Sequence, residues 1–397
     1  MAEDAQLSIV APEEQFMRRL FQSYYEKVAP DSVSPPEIAR REFGLGTWDK
    51  KIESRHFAFR DAQALKSYLV RNTPFYISYS AAYYEFPDGR PMPRKGWMGA
   101  DLVFDLDSDH LELECMKTHP KKFPCANCLS AVREETMKLI EDFLVPDFGF
   151  SKGEISANFS GNRGYHVHVR NETVRQLAGW ARRELADYIL GAGLQAKSLF
   201  YSRVKGKLEG PTPEMPGWHG RIARRFLQLL QAGKLTEAGV EQALARRLQK
   251  NAAKVSEGII MRGNWDTVRM NGPEKDLLAQ KIIDSAGIHI EGVGRAGDEV
   301  DVGVTFDVSK LIRLPDSLHG ETGMAARKIA KVGDLARFEP MNDAIVFSDA
   351  PVKVKVGEAP AFVMGNQTFG PFKNSDVELP EFAAAYLICK REAKLWK

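Results

Sequence analysis

Apolar residues recur along the chain with two periods, and the alternation between them lays out its elements. Over 13–29, Phe16, Leu20, Tyr24 and Val28 step by four, which places them on one stripe of a helix that Pro30 ends. A short second helix is expected after Pro35 and Pro36, stopping at Gly44. The β-rich tract 75–84 and the segment 102–107 read as strands, with 92–97 as a loop between them. Ser130 is the expected cap of a helix over 130–145, with Glu134 and Glu135 in its first turn. Next come a strand over 154–159, a tight turn over 160–164, a strand over 165–170 and a long helix over 172–190.

The pattern changes after Gly210-Pro211-Thr212-Pro213. From about 218 to 285 it is helical, with Ile222, Phe226, Leu229 and Leu230 on one stripe and Val240, Leu244 and Leu248 on another. Strand patterns return at 300–306, 344–347 and 352–356, and a last helix runs from about 380. There is no internal repeat and no low-complexity segment. The interleaving predicts a mixed α/β (α+β) domain built from 1–210 and 289–397, with a small all-helical domain over 211–288 inserted into it.

At 397 residues, 44% hydrophobic and 27% charged, the chain is long enough for more than one compact domain. No run of about 18 apolar residues is present, and the Met-Ala-Glu-Asp start lacks the basic and apolar regions of a signal peptide, so a cytoplasmic protein is expected. The net charge of +2 from 55 basic and 53 acidic residues announces no polyanion partner. Any nucleic-acid contact would come from local clusters such as Arg40, Arg41, Lys50, Lys51 and Arg55, or Arg221, Arg224 and Arg225, for which solvated helix faces are the plainer account.

In Leu102-Val103-Phe104-Asp105-Leu106-Asp107, the strand period sends Val103, Asp105 and Asp107 to one face. Adjacent carboxylates resist joint ionisation unless a cation lies between them, so the pair favours divalent metal. Asp109 shares their parity but falls where the sequence turns hydrophilic, as a loop residue would. Two metals about 4 Å apart require a third acid. Asp301 and Asp307 share one face of the predicted strand over 300–306 and its end, and periodicity does not choose between them.

The hairpin Asn158-Phe159-Ser160-Gly161-Asn162-Arg163-Gly164-Tyr165-His166-Val167-His168-Val169 carries the most information. Its glycines free the turn to expose backbone N–H groups, and Ser160, Arg163 and His166 add donors suited to phosphate oxygens, with His168 a bystander. Arg313 and His319 form a second donor cluster that can face the same anion. Of the four cysteines, three fall between 115 and 128, and Cys115, His119, Cys125 and Cys128 supply four ligands at knuckle spacing, a closed set that predicts structural zinc. Lys117, Lys121 and Lys122 make the same loop basic.

Taken in order, these pieces resemble the archaeo-eukaryotic DNA primase small subunit of archaeal type, from Arg55-His56-Phe57-Ala58-Phe59 to Gly323. That family has an acidic pair on a strand, a cysteine-rich knuckle, a Ser-Gly-x-x-Gly-x-His hairpin, then a third acid ahead of a Leu-x-x-Pro-x-Ser-x-His stretch. The resemblance implies that Asp105 and Asp107 are metal ligands and selects Asp301, eighteen residues before His319, as the third. It assigns Ser160, Arg163, His166, Arg313 and His319 to nucleotide phosphate, and matches Arg55 to a family motif position.

The implied fold is a mixed-sheet catalytic domain with a zinc knuckle and a variable helical domain. The implied activity is template-directed synthesis of short RNA primers on single-stranded DNA from nucleoside triphosphates, with two Mg2+ or Mn2+ ions. The implied partner is a large subunit with an iron–sulfur cluster, for which this chain lacks the cysteines. The rival readings are a related end-joining repair polymerase, which would not need the knuckle, and a non-catalytic zinc-bearing DNA-binding subunit.

Overall fold

The computed structural model describes residues 10–396 except 112, 196–198, 205–206, 267–269, 271 and 288–304. Its elements are α1 (Pro12–Lys27), β1 (Phe43–Gly46), β2 (Ser54–Phe57), α2 (Ala62–Asn72), β3 (Tyr76–Ser80), β4 (Ala82–Tyr84), β5 (Trp97–Ala100), β6 (Leu102–Asp107), α3 (Ala126–Lys138), β7 (Ile155–Phe159), β8 (Gly164–Val169), α4 (Glu172–Arg175), α5 (Gly179–Leu190), β9 (Tyr201–Val204) and β10 (Lys207–Glu209). Then follow α6 (Gly217–Gln231), α7 (Gln242–Lys250), α8 (Ala252–Arg262), α9 (Gly272–Ala286), β11 (Leu311–Arg313), β12 (Lys328–Ile329), α10 (Pro340–Asp343), β13 (Pro351–Ala359), β14 (Phe362–Met364), β15 (Gln367–Phe369), β16 (Phe372–Pro380), α11 (Glu381–Cys389) and β17 (Ala393–Leu395).

The fold is α+β, and the strand pairings among the described residues are antiparallel. One sheet runs β11-β3-β1-β2, a second β12-β7-β8-β6, and a third β16-β13-β17. In the second sheet Phe104, Leu106, Tyr165, Val167, Ala157 and Phe159 are buried on one face, against α3 and the ring of Phe338. Burying that face leaves the alternate positions of the same strands to turn toward the first sheet, where Tyr79 Oη lies 3.5 Å from His168 Nδ1.

Several elements differ from the sequence reading. In α1 the fully buried stripe is Met17, Phe21 and Tyr25, while Phe16, Leu20, Tyr24 and Val28 flank it, because Phe21 is the residue that meets Phe75 and Phe347. The helix expected after Pro36 shrinks to one 3-10 turn at Ile38–Arg40, and Gly44 belongs to β1, a strand paired on both sides. The helix expected from Ser130 begins at Ala126, so Ser130 lies inside α3, and π-type turns carry it on through Leu139–Leu144. The helix over 172–190 is broken between α4 and α5. Arg182, 1% exposed, fills the break by donating to the carbonyls of Val174, Arg175 and Leu177 at the end of α4.

Residues 344–347 form no strand, since the Ala344 N–H closes α10 and its carbonyl accepts from Ala325. The expected strand over 300–306 lies mostly outside the described residues, and Thr305 and Phe306 are in a turn. In the helical stretch every residue of both predicted stripes is buried. No helix among the described residues is long and apolar enough to cross a membrane.

Candidate active site

β6 and β7 flank β8, with Asp105 opposite His166 and His166 opposite Asn158, so an acid, an imidazole and an amide form one row on the polar face. Asn158 Nδ2 lies 3.2 Å from His166 Nδ1, and His166 Nε2 lies 3.5 Å from Asp105 Oδ1. The amide donates to Nδ1, which leaves the ring hydrogen on Nε2, on the Asp105 side of the ring. Burial, helped by the charge of Arg313, pushes the His166 pKa down to about 3, so the ring is neutral and its Nε2–H is a donor. Asp107, two positions along the same face, caps the 3-10 turn Ser108–His110 by accepting from Asp109 N at 3.0 Å.

Arg163 lies across this acidic strand. Its Nε donates to both oxygens of Asp107 at 2.8 and 3.1 Å, and Nη2 pairs with Asp109. Arg163, expected as a phosphate donor, and Asp109, which lies in the turn after the strand as expected, both also belong to the ion-pair network of Asp107.

The turn between β7 and β8 closes on itself. Ser160 Oγ accepts from Gly164 N at 3.1 Å and Asn162 N at 3.4 Å, which commits its lone pairs to the turn and leaves its hydroxyl hydrogen for a ligand. Gly161 has φ +86°, and a Cβ there would lie 2.8 Å from His319 Cβ, so both conformation and space demand glycine.

His319 comes from the loop after β11. Its Nδ1 accepts from Glu321 N at 3.1 Å, which fixes the remaining hydrogen on Nε2. Burial, with Arg313, Lys51, Lys390 and His166 nearby, holds its pKa well below the usual histidine range. Arg313 ends β11 with its guanidinium 5.0 Å from the centre of the Tyr76 ring, and burial lowers its pKa despite Tyr76, Glu321 and Asp105 close by. Its Nη1 is buried without a hydrogen-bond partner. Asp105, Asp107, Ser160, Arg163, His166, Arg313 and His319 thus come together. Asp301 lies outside the described residues. Asp307, its sequence rival, accepts from Ser309 N and Oγ as the start of a tight turn.

Cys115, His119, Cys125 and Cys128 offer ligand atoms that all lie within 4.8 Å of one another. Cys115 and Cys128 sulfurs are 3.5 Å apart, Cys125 and Cys128 3.7 Å, and His119 Nε2 is 3.4 Å from Cys128. A tetrahedron of about 2.3 Å Zn–S bonds has edges close to these values, so the group fits structural zinc. His119 Nδ1 sits 3.2 Å from the Pro120 carbonyl, which holds the ring with Nε2 toward the sulfurs. Cys125 caps α3 and Cys128 lies in its first turn, which explains the Cys-x-x-Cys spacing.

Sequence reasoning missed the buried groups that position this face. Arg41, fully buried, donates to Asp101 Oδ2 at 2.9 Å, and Asp101 leads into β6. Arg55 is tied to buried Glu42 at 2.9 Å and to the Ser309 carbonyl at 2.8 Å. Arg221 is buried against Asp147 at 2.7 Å with Phe143 beneath it. Arg41 and Arg221 are therefore not surface charges, while Arg40, Lys50, Lys51 and Arg224 of the same two clusters are exposed. A basic residue beside an apolar strand or helix stripe was the only available signal.

The family model described as DNA primase small subunit matches residues 104–330, which span the acidic strand, the knuckle, the hairpin and the 313–319 stretch. A curated relative from Methanothrix thermoacetophila, DNA primase small subunit PriS, is 35% identical over 96% of this chain and 98% of its own. Relatives of the same name from Methanococcoides burtonii and Methanoregula boonei are 34% and 33% identical, over 96% of this chain and 97% and 98% of theirs. Identity at that level over nearly the full length, on a fold that assembles the expected motifs, places this chain in the DNA primase small subunit family.

Proposed function

We propose that the polar face of β6–β8, roofed by the 160–164 turn and the 313–319 stretch, is the nucleotidyl-transfer site of this chain, which as a primase catalytic subunit synthesises RNA primers. The observation that carries the reading is the convergence of donors on the acidic strand, one of them, Arg313 Nη1, buried without a hydrogen-bond partner. His166 Nε2–H, the Ser160 hydroxyl, His319 Nε2–H and Arg313 Nη1 are neutral or cationic donors gathered around an acidic strand, the layout a triphosphate with its cations requires.

Asp105 and Asp107, joined by Asp301, would hold two Mg2+ or Mn2+ ions, which when bound supply activation of the attacking 3′ oxygen and neutralise the triphosphate. Arg163 guards the acids until then, its guanidinium occupying Asp107 and Asp109, and turns to the phosphates as that pairing is relieved. His319 and Arg313 grip the phosphate chain from the opposite side, and pyrophosphate leaves along the same donors.

Zinc at Cys115, His119, Cys125 and Cys128 would brace the loop between the acidic strand and α3. The four-ligand set favours a primase over an end-joining polymerase, and the paired acids disfavour a purely DNA-binding subunit, since they repel a phosphate backbone. We further assign single-stranded DNA as template, nucleoside triphosphates as substrates, an iron–sulfur large subunit as partner, the cytoplasm as location, and 211–288 as a helical domain inserted between 1–210 and 289–397.

The direct test is Asp107→Asn. It should abolish dinucleotide synthesis on single-stranded DNA while the circular dichroism spectrum and template affinity stay at wild-type values. Normal primer synthesis by this variant would remove the metal assignment.

A further inference from the structure

The tip of the 160–164 turn is gripped from two directions. On one side the loop after β11 holds it, with Thr322 Oγ1 donating to the Gly161 carbonyl at 2.5 Å and Glu321 Oε2 accepting from Asn162 Nδ2 at 3.2 Å. On the other side stands Lys390, the residue that follows α11. Its ammonium donates to Asn162 Oδ1 at 3.0 Å. Lys390 is 6% exposed and lies between the rings of Tyr386 and Phe123, at 5.3 and 6.0 Å from their centres. The carboxamide of Asn162 thus has its oxygen and one N–H committed, to partners from two distant parts of the chain.

We propose that Lys390 is a positioning residue for nucleotide binding: acting through Asn162, it holds the 160–164 turn in the shape that aims the turn's donors at the triphosphate. The inference rests on the reading of that turn as the phosphate site. Lys390 lies outside the segment 104–330 that the family model matches, and nothing in its local sequence marks it.

The energetics separate this role from packing. A lysine among aromatic rings is an expensive way to fill space, because burial disfavours the ammonium; its pKa is pushed down to about 8, with Glu321 and Cys389 opposing the fall and Arg163 and Lys122 adding to it. Replacing the lysine by methionine relieves that desolvation cost but leaves the Asn162 side-chain carbonyl oxygen without its donor, so the two effects on stability oppose each other. What the ammonium supplies, and a methionine would not, is the directed bond to Asn162. Without it the amide is held only by Glu321, which draws the tip of the turn toward the loop of His319.

The test compares Lys390→Met, Lys390→Arg and Asn162→Ala in the full-length chain, assayed for primer extension with varied nucleotide on a fixed template. Lys390→Met should raise the nucleotide KM about tenfold with kcat little changed, because donors lost from ground state and transition state alike appear in KM. Template affinity should be unaffected, and the melting temperature should change little, because relief of the buried charge and loss of the bond to Asn162 offset each other. Lys390→Arg should recover most of the loss. Asn162→Ala should reproduce it, and the double variant should be no worse than either single one, the signature of two residues acting through one contact. Asn162→Ala carries the same expectation should Lys390→Met not fold.

A nucleotide KM within about twofold of wild type for Lys390→Met, or multiplying effects in the double variant, would overturn the proposal. So would a fall in melting temperature with KM unchanged, which would make Lys390 a packing residue only. Arg313→Met separates this failure from the larger one. If it raises KM while Lys390→Met does not, only the positioning role is lost; if it too leaves KM unchanged, the phosphate site itself has been misassigned.

Discussion

Asp101→Asn tests the framework that presents the acidic strand. Asp101 is 4% exposed and stands immediately before β6. Its carboxylate accepts from Arg41 Nη2 at 2.9 Å and Tyr83 Oη at 2.5 Å, with Arg170 Nε at 3.3 Å, while its carbonyl accepts from Arg182 Nη1 at 2.7 Å. The substitution keeps the shape and removes only the charge, so Arg41, fully buried over the Tyr83 ring, loses its counter-ion. The attraction of two unit charges about 4 Å apart at an effective dielectric near 20 is about 4 kcal/mol, and breaking one partner of a buried pair costs about 3–5 kcal/mol.

The retained bonds of Arg41 to the carbonyls of Ser80 and Ala81 offset part of that, which leaves an expected loss of about 3 kcal/mol. Urea unfolding followed by circular dichroism should show a lower midpoint at unchanged slope. The double variant Arg41→Met/Asp101→Asn should regain most of the loss, since the fully buried guanidinium is then gone and Arg170, the other partner of Asp101, is partly exposed to solvent. A single-variant loss below about 1 kcal/mol, or a double variant no better than the single, would refute the reasoning.

Other outcomes follow from the same geometry. Cys125→Ser, or removal of zinc by chelation, should lower zinc content and melting temperature while leaving the nucleotide KM near wild type, checked by metal analysis and scanning calorimetry. Asp301→Asn should abolish primer synthesis and Asp307→Asn should not, because Asp307 is occupied in a turn with Ser309; the reverse result would exchange the two acids. Burial depresses the Lys390 pKa from its ordinary 10.5 to about 8, so its penalty is complete below pH 8, where folded and unfolded chains both hold the proton. Between 8 and 10.5 the folded chain sheds the proton first, so wild type should gain stability relative to Lys390→Met as pH rises; a stability difference that is flat across that window would contradict it.

The features legible in the sequence were those written in short-range spacing. Asp105 and Asp107 share a face because a strand alternates, and the cysteines close together because Cys125 and Cys128 sit at the start of one helix. The hairpin could be read from its own glycines. What stayed hidden depends on partners far along the chain. Which stripe of α1 is fully buried is decided by Phe75 and Phe347, rings that the period of the helix does not know about. The break in the helix over 172–190 is bridged by the buried Arg182, which donates to the carbonyls of Val174, Arg175 and Leu177. Arg41 and Arg221 look like surface charge until Asp101 and Asp147 are brought beside them.

The grip of Lys390 on Asn162 spans 228 residues, and this bears on how the protein is made. Translation proceeds from the N-terminus at roughly 5–20 residues per second, so the turn leaves the ribosome about 10–45 seconds before the lysine that braces it. In the last part of that interval, once Asp301, Arg313 and His319 have also emerged, the nascent chain carries its acids and its donors but not the contact to Asn162. On the positioning role proposed for Lys390, full competence to bind nucleotide waits for the segment that carries it, and a polypeptide terminated before residue 390 would be a weak competitor for nucleotide against one that includes it.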